Sequence, residues 1–286
     1  MLTLQRLVDL GYDHRAIGRE IAAERWRRHG RRTVAVHTGD LCDLAHRWRA
    51  VWEVAERAAL LDGVTALQAA GLTGFSEPIL HVSVPRNARC PVAEGVRTHR
   101  VSRGPGERHG TGLPRTGVEL AAVRAAHWAV SDRQAALLLC LVVQQRLTTG
   151  ARLLAAAQTA PGRRRRAFVR QVALDVSDGA HSLGELDFAR LCRRYGIPAP
   201  ERQVVRTTPA GRVYLDVRWA GSRLVVEIDG AGHRVGLAVT HDNLRQNDIV
   251  LGDDRVLRID LVGMRLFESA FMRQVKQGLG AALGCV

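Results

Sequence analysis

Apolar residues recur at Leu2, Leu4, Leu7, Val8 and Leu10 ahead of Gly11, a spacing that predicts a short helix over 2–10 ended by the glycine. Asp13 suits the N-cap of a second helix, in which Ile17, Ile21 and Trp26 repeat at near-helical spacing. The basic turn RWRRHGRR then leads into TVAVHTG, whose alternation of apolar and polar positions reads as a strand. Further helical patterns cover 43–60, 62–71, 117–129, 132–147 and 150–158. Two strand-like runs, ILHVSVP and VRTHRVS, are separated by proline and turn residues, and VSRGPGERHGTG over 101–112 reads as loop. Arg163 to Arg166 form a basic run after Pro161-Gly162, read as the solvated face of a linker helix or a nucleic-acid contact.

Residues 183–267 carry the sharpest pattern. LGELDFARLCRRYG reads as a helix stopped by Gly196, and Pro198 and Pro200 break the chain after it. Three strand candidates follow: RQVVRT, RVYLDVRW and SRLVVEIDG. THDNLRQNDIVLG reads as a helix opened by Thr240, RVLRIDL as a last strand, and a closing helix starts near Met264. Gly221-Ser222 suits a two-residue hairpin loop with glycine first. With that loop, Asp216 faces Glu227 and Tyr214 faces Asp229, while Leu215, Val217, Leu224, Val226 and Ile228 lie on the other, apolar face. Directly opposed carboxylates, with Cβ atoms ~4.5–5.5 Å apart, destabilise a sheet. A divalent cation, a shared proton or an arginine such as Arg218, Arg223 or Arg245 would neutralise them. All-oxygen ligands favour Mg²⁺ or Mn²⁺ over zinc, which makes Asp216 and Glu227 the candidate metal ligands.

Composition narrows the class. The chain has 286 residues, 46% hydrophobic and 24% charged, the balance of a packed multidomain protein. The longest apolar run, Ala135 to Val143, is too short to span a membrane, and no export signal is visible at the N-terminus. Five scattered cysteines without a CxxC pair argue against a disulfide framework or a cysteine zinc site and point to a cytoplasmic location. The net charge of +14 is uneven: 10 basic against 6 acidic residues over 1–50, 17 against 10 over 51–180, and 15 against 12 over 181–286. Such an excess attracts polyanions, nucleic acid above all, and Arg25, Arg27, Arg28, Arg31 and Arg32 are the candidate DNA contacts. Lys276 is the only lysine, so the preference for arginine reflects a GC-rich coding sequence, but the excess itself does not follow from that.

Helix, turn, helix and basic wing over 1–42 is the order of a winged-helix DNA reader. This stretch resembles the start of the AbiEi-like antitoxin family, which implies DNA binding. The chain begins almost at the second helix of such a module, so the stabilising first helix is expected to be missing. Asp216 with Glu227-Ile228-Asp229 in an αβββαβ order resembles the PD-(D/E)XK nuclease superfamily. VVEIDGAGH, DNLRQN and VLRID look like its very-short-patch-repair-like endonuclease branch. The resemblance spans about 180–270 and implies a Mg²⁺-dependent DNA endonuclease core. By position, Glu185 is the helix acid, Asp216 and Glu227 are the metal ligands, and Asp242 and Arg245 occupy recurring polar places. The lysine usual two residues after the glutamate is here Asp229; the branch relies instead on a histidine, for which His233 is the nearest candidate. Arg245 is a candidate contact to the scissile phosphate.

The expected fold is therefore α/β, α+β overall. A winged-helix-like region (1–42) leads to a mixed middle region (43–176) and a C-terminal αβββαβ restriction-endonuclease-like domain (177–286). The expected function is a DNA-binding, metal-dependent endonuclease. The alternative is a non-catalytic, antitoxin-like repressor whose nuclease-like domain is only a scaffold. DNA is the expected partner and a membrane is not; no protein partner is legible.

Overall fold

The first apolar run divides in the computed structural model. Leu2–Thr3 forms strand β1, and helix α1 (Leu4–Asp9) starts behind it because the Thr3 hydroxyl caps it, accepting from the Arg6 backbone N–H at 3.2 Å. Gly11 then turns the chain at a φ of +96°, which glycine adopts without cost. Asp13 caps α2 (His14–Ala22) by accepting from the Ala16 N–H at 2.6 Å, as its place in the sequence predicts. Strands β2 (Arg27–Arg28) and β3 (Thr33–Ala35) form an antiparallel ribbon, and β1 joins it to give the order β1-β3-β2. Leu7, Ile17 and Val34 are buried where the two helices meet this sheet, with Leu2, Leu4, Ile21 and Trp26 packed around them.

The description covers residues 1–102, 107–109, 112–162, 164–177, 188–200, 202–207, 213–219, 224–229 and 256–283. The chain gathers into two compact units, Met1–Ala125 and Ala126–Val286. The region 1–42 and residues 43–125 of the region 43–176 fall in the first unit; residues 126–176 join the C-terminal one.

In the first unit, α3 (Asp43–Ala55) buries Ala50, Val51 and Val54. It is followed by β4 (Leu60–Leu61), α4 (Gly63–Ala69), β5 (Leu80–Pro85), β6 (Val96–Val101), β7 (Arg108–His109) and β8 (Arg115–Thr116). The five strands order as β6-β5-β4-β8-β7. ILHVSVP and VRTHRVS supply β5 and β6, which run parallel, because the connection over 86–95 carries the chain back to the starting edge before β6 begins. This sheet has a polar buried layer. Asp62 is fully buried, and the Arg124 guanidinium on α5 (Val118–Trp128) donates to it at 2.8 Å and to Glu107 at 3.0 Å. The two carboxylates answer the charge that burial of an arginine would otherwise leave exposed to a low dielectric.

The second unit is mixed helix and sheet. Helices α6 (Asp132–Gln144), α7 (Gly150–Thr159) and α8 (Arg166–Ser177) come first. The basic run before α8 is partly structural: Arg165 donates to Asp132 at 2.6 Å and to the Ala129 carbonyl at 2.7 Å. Helix α9 (Phe188–Arg194) is followed by β9 (Arg202–Thr207), β10 (Val213–Arg218), β11 (Val225–Asp229) and β12 (Val256–Asp260), and α10 (Leu261–Leu283) closes the unit. The sheet order is β12-β11-β10-β9, with β10 antiparallel to both neighbours and β12 parallel to β11. Val217, Val226, Ile228, Leu257 and Ile259 form its buried face against Phe188 and Cys192 of α9 and Met264, Phe271 and Val275 of α10. Burial pushes the Cys192 thiol up to about 11, so it serves the core rather than chemistry. The whole is α+β, as the alternation of helical and strand patterns predicts. Among the described residues no helix is long and apolar enough to cross a membrane.

Candidate functional sites: an acidic sheet face and a basic ribbon

In the second unit, strand alternation sorts the chemistry. Val217, Val226, Ile228, Leu257 and Ile259 fill one face, so their neighbours in sequence fall on the other. On that second face the register sets Val204, Asp216, Glu227 and Arg258 in one row and Arg206, Tyr214, Asp229 and Asp260 in the next. Asp216 opposite Glu227, and Tyr214 opposite Asp229, is the pairing that the hairpin reading predicts. The turn at Gly221-Ser222 that underlies that reading lies outside the described residues, as does Arg223.

Sequence reasoning missed two residues of this face. Arg258 stands directly opposite Glu227 and its Nε lies 3.4 Å from Glu227 Oε2. The counter-charge is thus supplied by the parallel neighbour rather than by Arg218, which pairs with Val225 one row away. Asp260 stands opposite Asp229 in the parallel register. Both were hidden because the parallel register depends on a crossover between β11 and β12, which leaves no periodic trace across the two segments. The nearest signal was VLRID itself, whose arginine and aspartate fall on the polar phase of the alternation.

The Glu227–Arg258 pair is weak by its setting. The arginine side chain is 70% exposed and the glutamate 39%, and solvent screens such a pair to ~0–1 kcal/mol. Asp216, the other expected metal ligand, stands opposite Glu227 in the register. Glu185, His233, Asp242 and Arg245 lie outside the described residues. Among the described residues, no group of three His, Cys, Asp or Glu side chains is assembled as a metal site.

In the first unit, the basic ribbon is built from local chemistry. Of the five arginines singled out from the sequence, Arg25 is held within the chain. It forms a two-point pair with Glu20, Nε to Oε2 at 2.7 Å and Nη2 to Oε1 at 2.8 Å, which lowers the carboxyl below its ordinary range. Arg28, exposed as well, donates to the carbonyls of Gly30 at 3.0 Å and Arg31 at 2.8 Å. Arg27, Arg31 and Arg32 are exposed too. Burial, then the charges of Arg27 and Arg49, push the His29 imidazole below its ordinary value. The charge of the ribbon therefore belongs to its arginines. Alternation on α2 shows what the cluster reading overlooked: with Ile17 buried and Ile21 partly so, His14, Arg15, Gly18, Arg19 and Ala22 are exposed. A glycine at the middle of that face leaves open space around its Cα, with nothing within 4 Å of a built Cβ. The helical periodicity that identified the core positions also held this face, as its complement.

No protein-family model matches the chain, and a search of curated proteins returns no significant match.

Proposed function

We propose that the chain is a DNA-binding protein whose C-terminal sheet is the core of a metal-dependent endonuclease. The observation that carries the reading is the register that sets Asp216 against Glu227 on the face away from the core, where two like charges cost stability unless a cation joins them. Asp216 and Glu227 would hold Mg²⁺ or Mn²⁺, which supplies charge neutralisation at a phosphodiester and a more acidic bound water. On the family resemblance, Glu185 would support the acids, Asp229 or His233 would take the proton of the attacking water, and Arg245 would contact the scissile phosphate. DNA is held by the first unit as a winged helix, with Arg15 and Arg19 of α2 facing one groove and Arg27, Arg31 and Arg32 of the wing meeting phosphates.

The test is nicking of supercoiled, mismatched and branched DNA with Mg²⁺ or Mn²⁺, for the wild type and Asp216→Ala in parallel. Cleavage by the wild type and its loss in the variant, with DNA binding retained, is the expected result. Cleavage that persists in Asp216→Ala places the chemistry elsewhere. A second reading, a non-catalytic repressor, draws support from the Arg258 contact to Glu227 and from Asp229 at the place where the superfamily carries lysine. DNA binding with no cleavage of any substrate and no metal binding by calorimetry selects it.

A further inference from the structure

We infer that Glu53, which lies on α3 and outside the helix–turn–helix and ribbon, is the residue that sets the wing for DNA. The inference rests on the DNA-binding reading above. The Glu53 side chain is buried, and its carboxylate reaches back more than twenty positions to the tip of the ribbon. Oε2 accepts from the Arg31 backbone N–H at 2.9 Å; Oε1 accepts from the Arg32 N–H at 2.9 Å and from the Thr33 hydroxyl at 2.7 Å. Three donors on one carboxylate make charge-assisted bonds, which are stronger than bonds to a neutral acceptor.

The neighbouring groups are arranged around the same carboxylate. A Cβ on Gly30 would run into it, so glycine is what lets the ribbon tip approach. Arg49, one turn before Glu53 on α3, donates from Nη1 to the His29 carbonyl at 3.0 Å and from Nη2 to the Glu94 carbonyl at 2.7 Å. Arg28 ties the Gly30 and Arg31 carbonyls from the exposed side. Every backbone polar group named here, from the His29 carbonyl to the Arg32 N–H, is thus fixed by a charged side chain. A tip held only by strand pairing would offer nothing comparable, since β2 and β3 are two and three residues long. What the arrangement leaves outward is the side chains of Arg31 and Arg32, both exposed. Binding a phosphate then orders two long side chains but no backbone, which is the advantage of a preorganised site. Glu53 touches no DNA itself. It is a positioning residue.

The experiment is a double-mutant cycle on the full chain, read by fluorescence anisotropy with a labelled mixed-sequence duplex over a salt series. Glu53→Ala is expected to weaken binding about tenfold and to lower the dependence on salt, because the wing arginines no longer meet phosphates together. Glu53→Gln keeps the oxygen facing Arg32 and Thr33 and is expected to recover part of the loss. The Arg31→Ala/Arg32→Ala variant is expected to lose affinity too, and adding Glu53→Ala to it should cost little more. Gly30→Ala, which pushes the carboxylate away from the ribbon side, gives a second route should Glu53→Ala fold poorly. Additive losses in the cycle, or wild-type affinity in both Glu53→Gln and Gly30→Ala, overturn the positioning role while leaving DNA binding intact. A wild type that binds no duplex at low salt overturns the DNA reading and this inference together.

Discussion

At the scale of single residues, the first unit holds a proton arrangement that is decided by one acceptor. Glu77 Oε1 lies 3.1 Å from His81 Nε2, and the His81 Nδ1 lies 3.1 Å from His99 Nε2, with the two rings stacked at 5.0 Å. A carboxylate only accepts, so His81 Nε2 donates to Glu77, and His81 Nδ1 and His99 Nε2 share a second hydrogen bond. Protonating His99 is opposed by burial, then by His81, Arg97 and Arg124, and its imidazole is pushed down to about 3. The folded chain therefore keeps His99 neutral where the unfolded chain, with the ordinary value of 6.5, takes up a proton. Stability from this group is complete above pH 6.5 and is lost as the pH falls toward 3, at up to ~1.4 kcal/mol per pH unit. Urea denaturation of the wild type and His99→Gln across that range tests it. The variant keeps a donor for His81 but does not titrate, so the two stabilities should converge as the pH falls; parallel curves would show that His99 does not carry the effect.

The elements show what a sequence exposes and what it hides. Strand β9 coincides with RQVVRT, and β10 and β11 lie within the predicted strands in the predicted register, because alternation and a short connection are local properties. Asp13 was legible as a cap for the same reason. The strands β4, β7 and β8 were not, since two residues are too few to show a period. Helix α8 enters the sequence reading only through Arg163 to Arg166, taken as the solvated face of a linker helix or a nucleic-acid contact, although Val169, Val172, Ala173 and Val176 give it a buried stripe. Glu53, Arg258 and Asp260 were illegible as site residues because each meets its partner through tertiary placement. Arg258 offers a test at this scale. Its contact to Glu227 joins β12 to β11 across the acid face, so Arg258→Ala removes a competitor for the glutamate. If a cation binds there, Mn²⁺ affinity by calorimetry should rise roughly three- to fivefold, matching a surface pair of under ~1 kcal/mol. An Arg258→Ala protein that still takes up no Mn²⁺ would leave the ion pair as the whole explanation of the acids.

For the molecule as a whole, the proposed division of labour makes binding and cleavage separable, and salt tells them apart. The net charge of +14 alone attracts any polyanion, but diffuse attraction and phosphate contacts differ in their response to particular substitutions. Each phosphate neutralised by a cation contributes about −0.9 to the slope of log K against log salt for duplex DNA. All five candidate arginines are exposed, but Arg25 is matched by Glu20 and Arg28 is engaged by backbone carbonyls, which distinguishes them from Arg27, Arg31 and Arg32. Replacing the last three with alanine should therefore flatten the slope by close to three contacts' worth, roughly 2–3 units. Replacing Arg25 should change it little, since its charge is already balanced by a partner that would be released in its place. Asp216→Ala should leave the slope where it was if, as proposed, the ribbon and not the acid face grips the duplex. If cleavage is present, the triple arginine variant should lose it at physiological salt and recover it at low salt or high enzyme concentration, as a defect of affinity does. Asp216→Ala should recover it under neither condition, as befits a defect of chemistry. A slope that drops equally for Arg25→Ala and for the triple variant would mean that the charge acts as a diffuse field and that the ribbon geometry does not select its contacts.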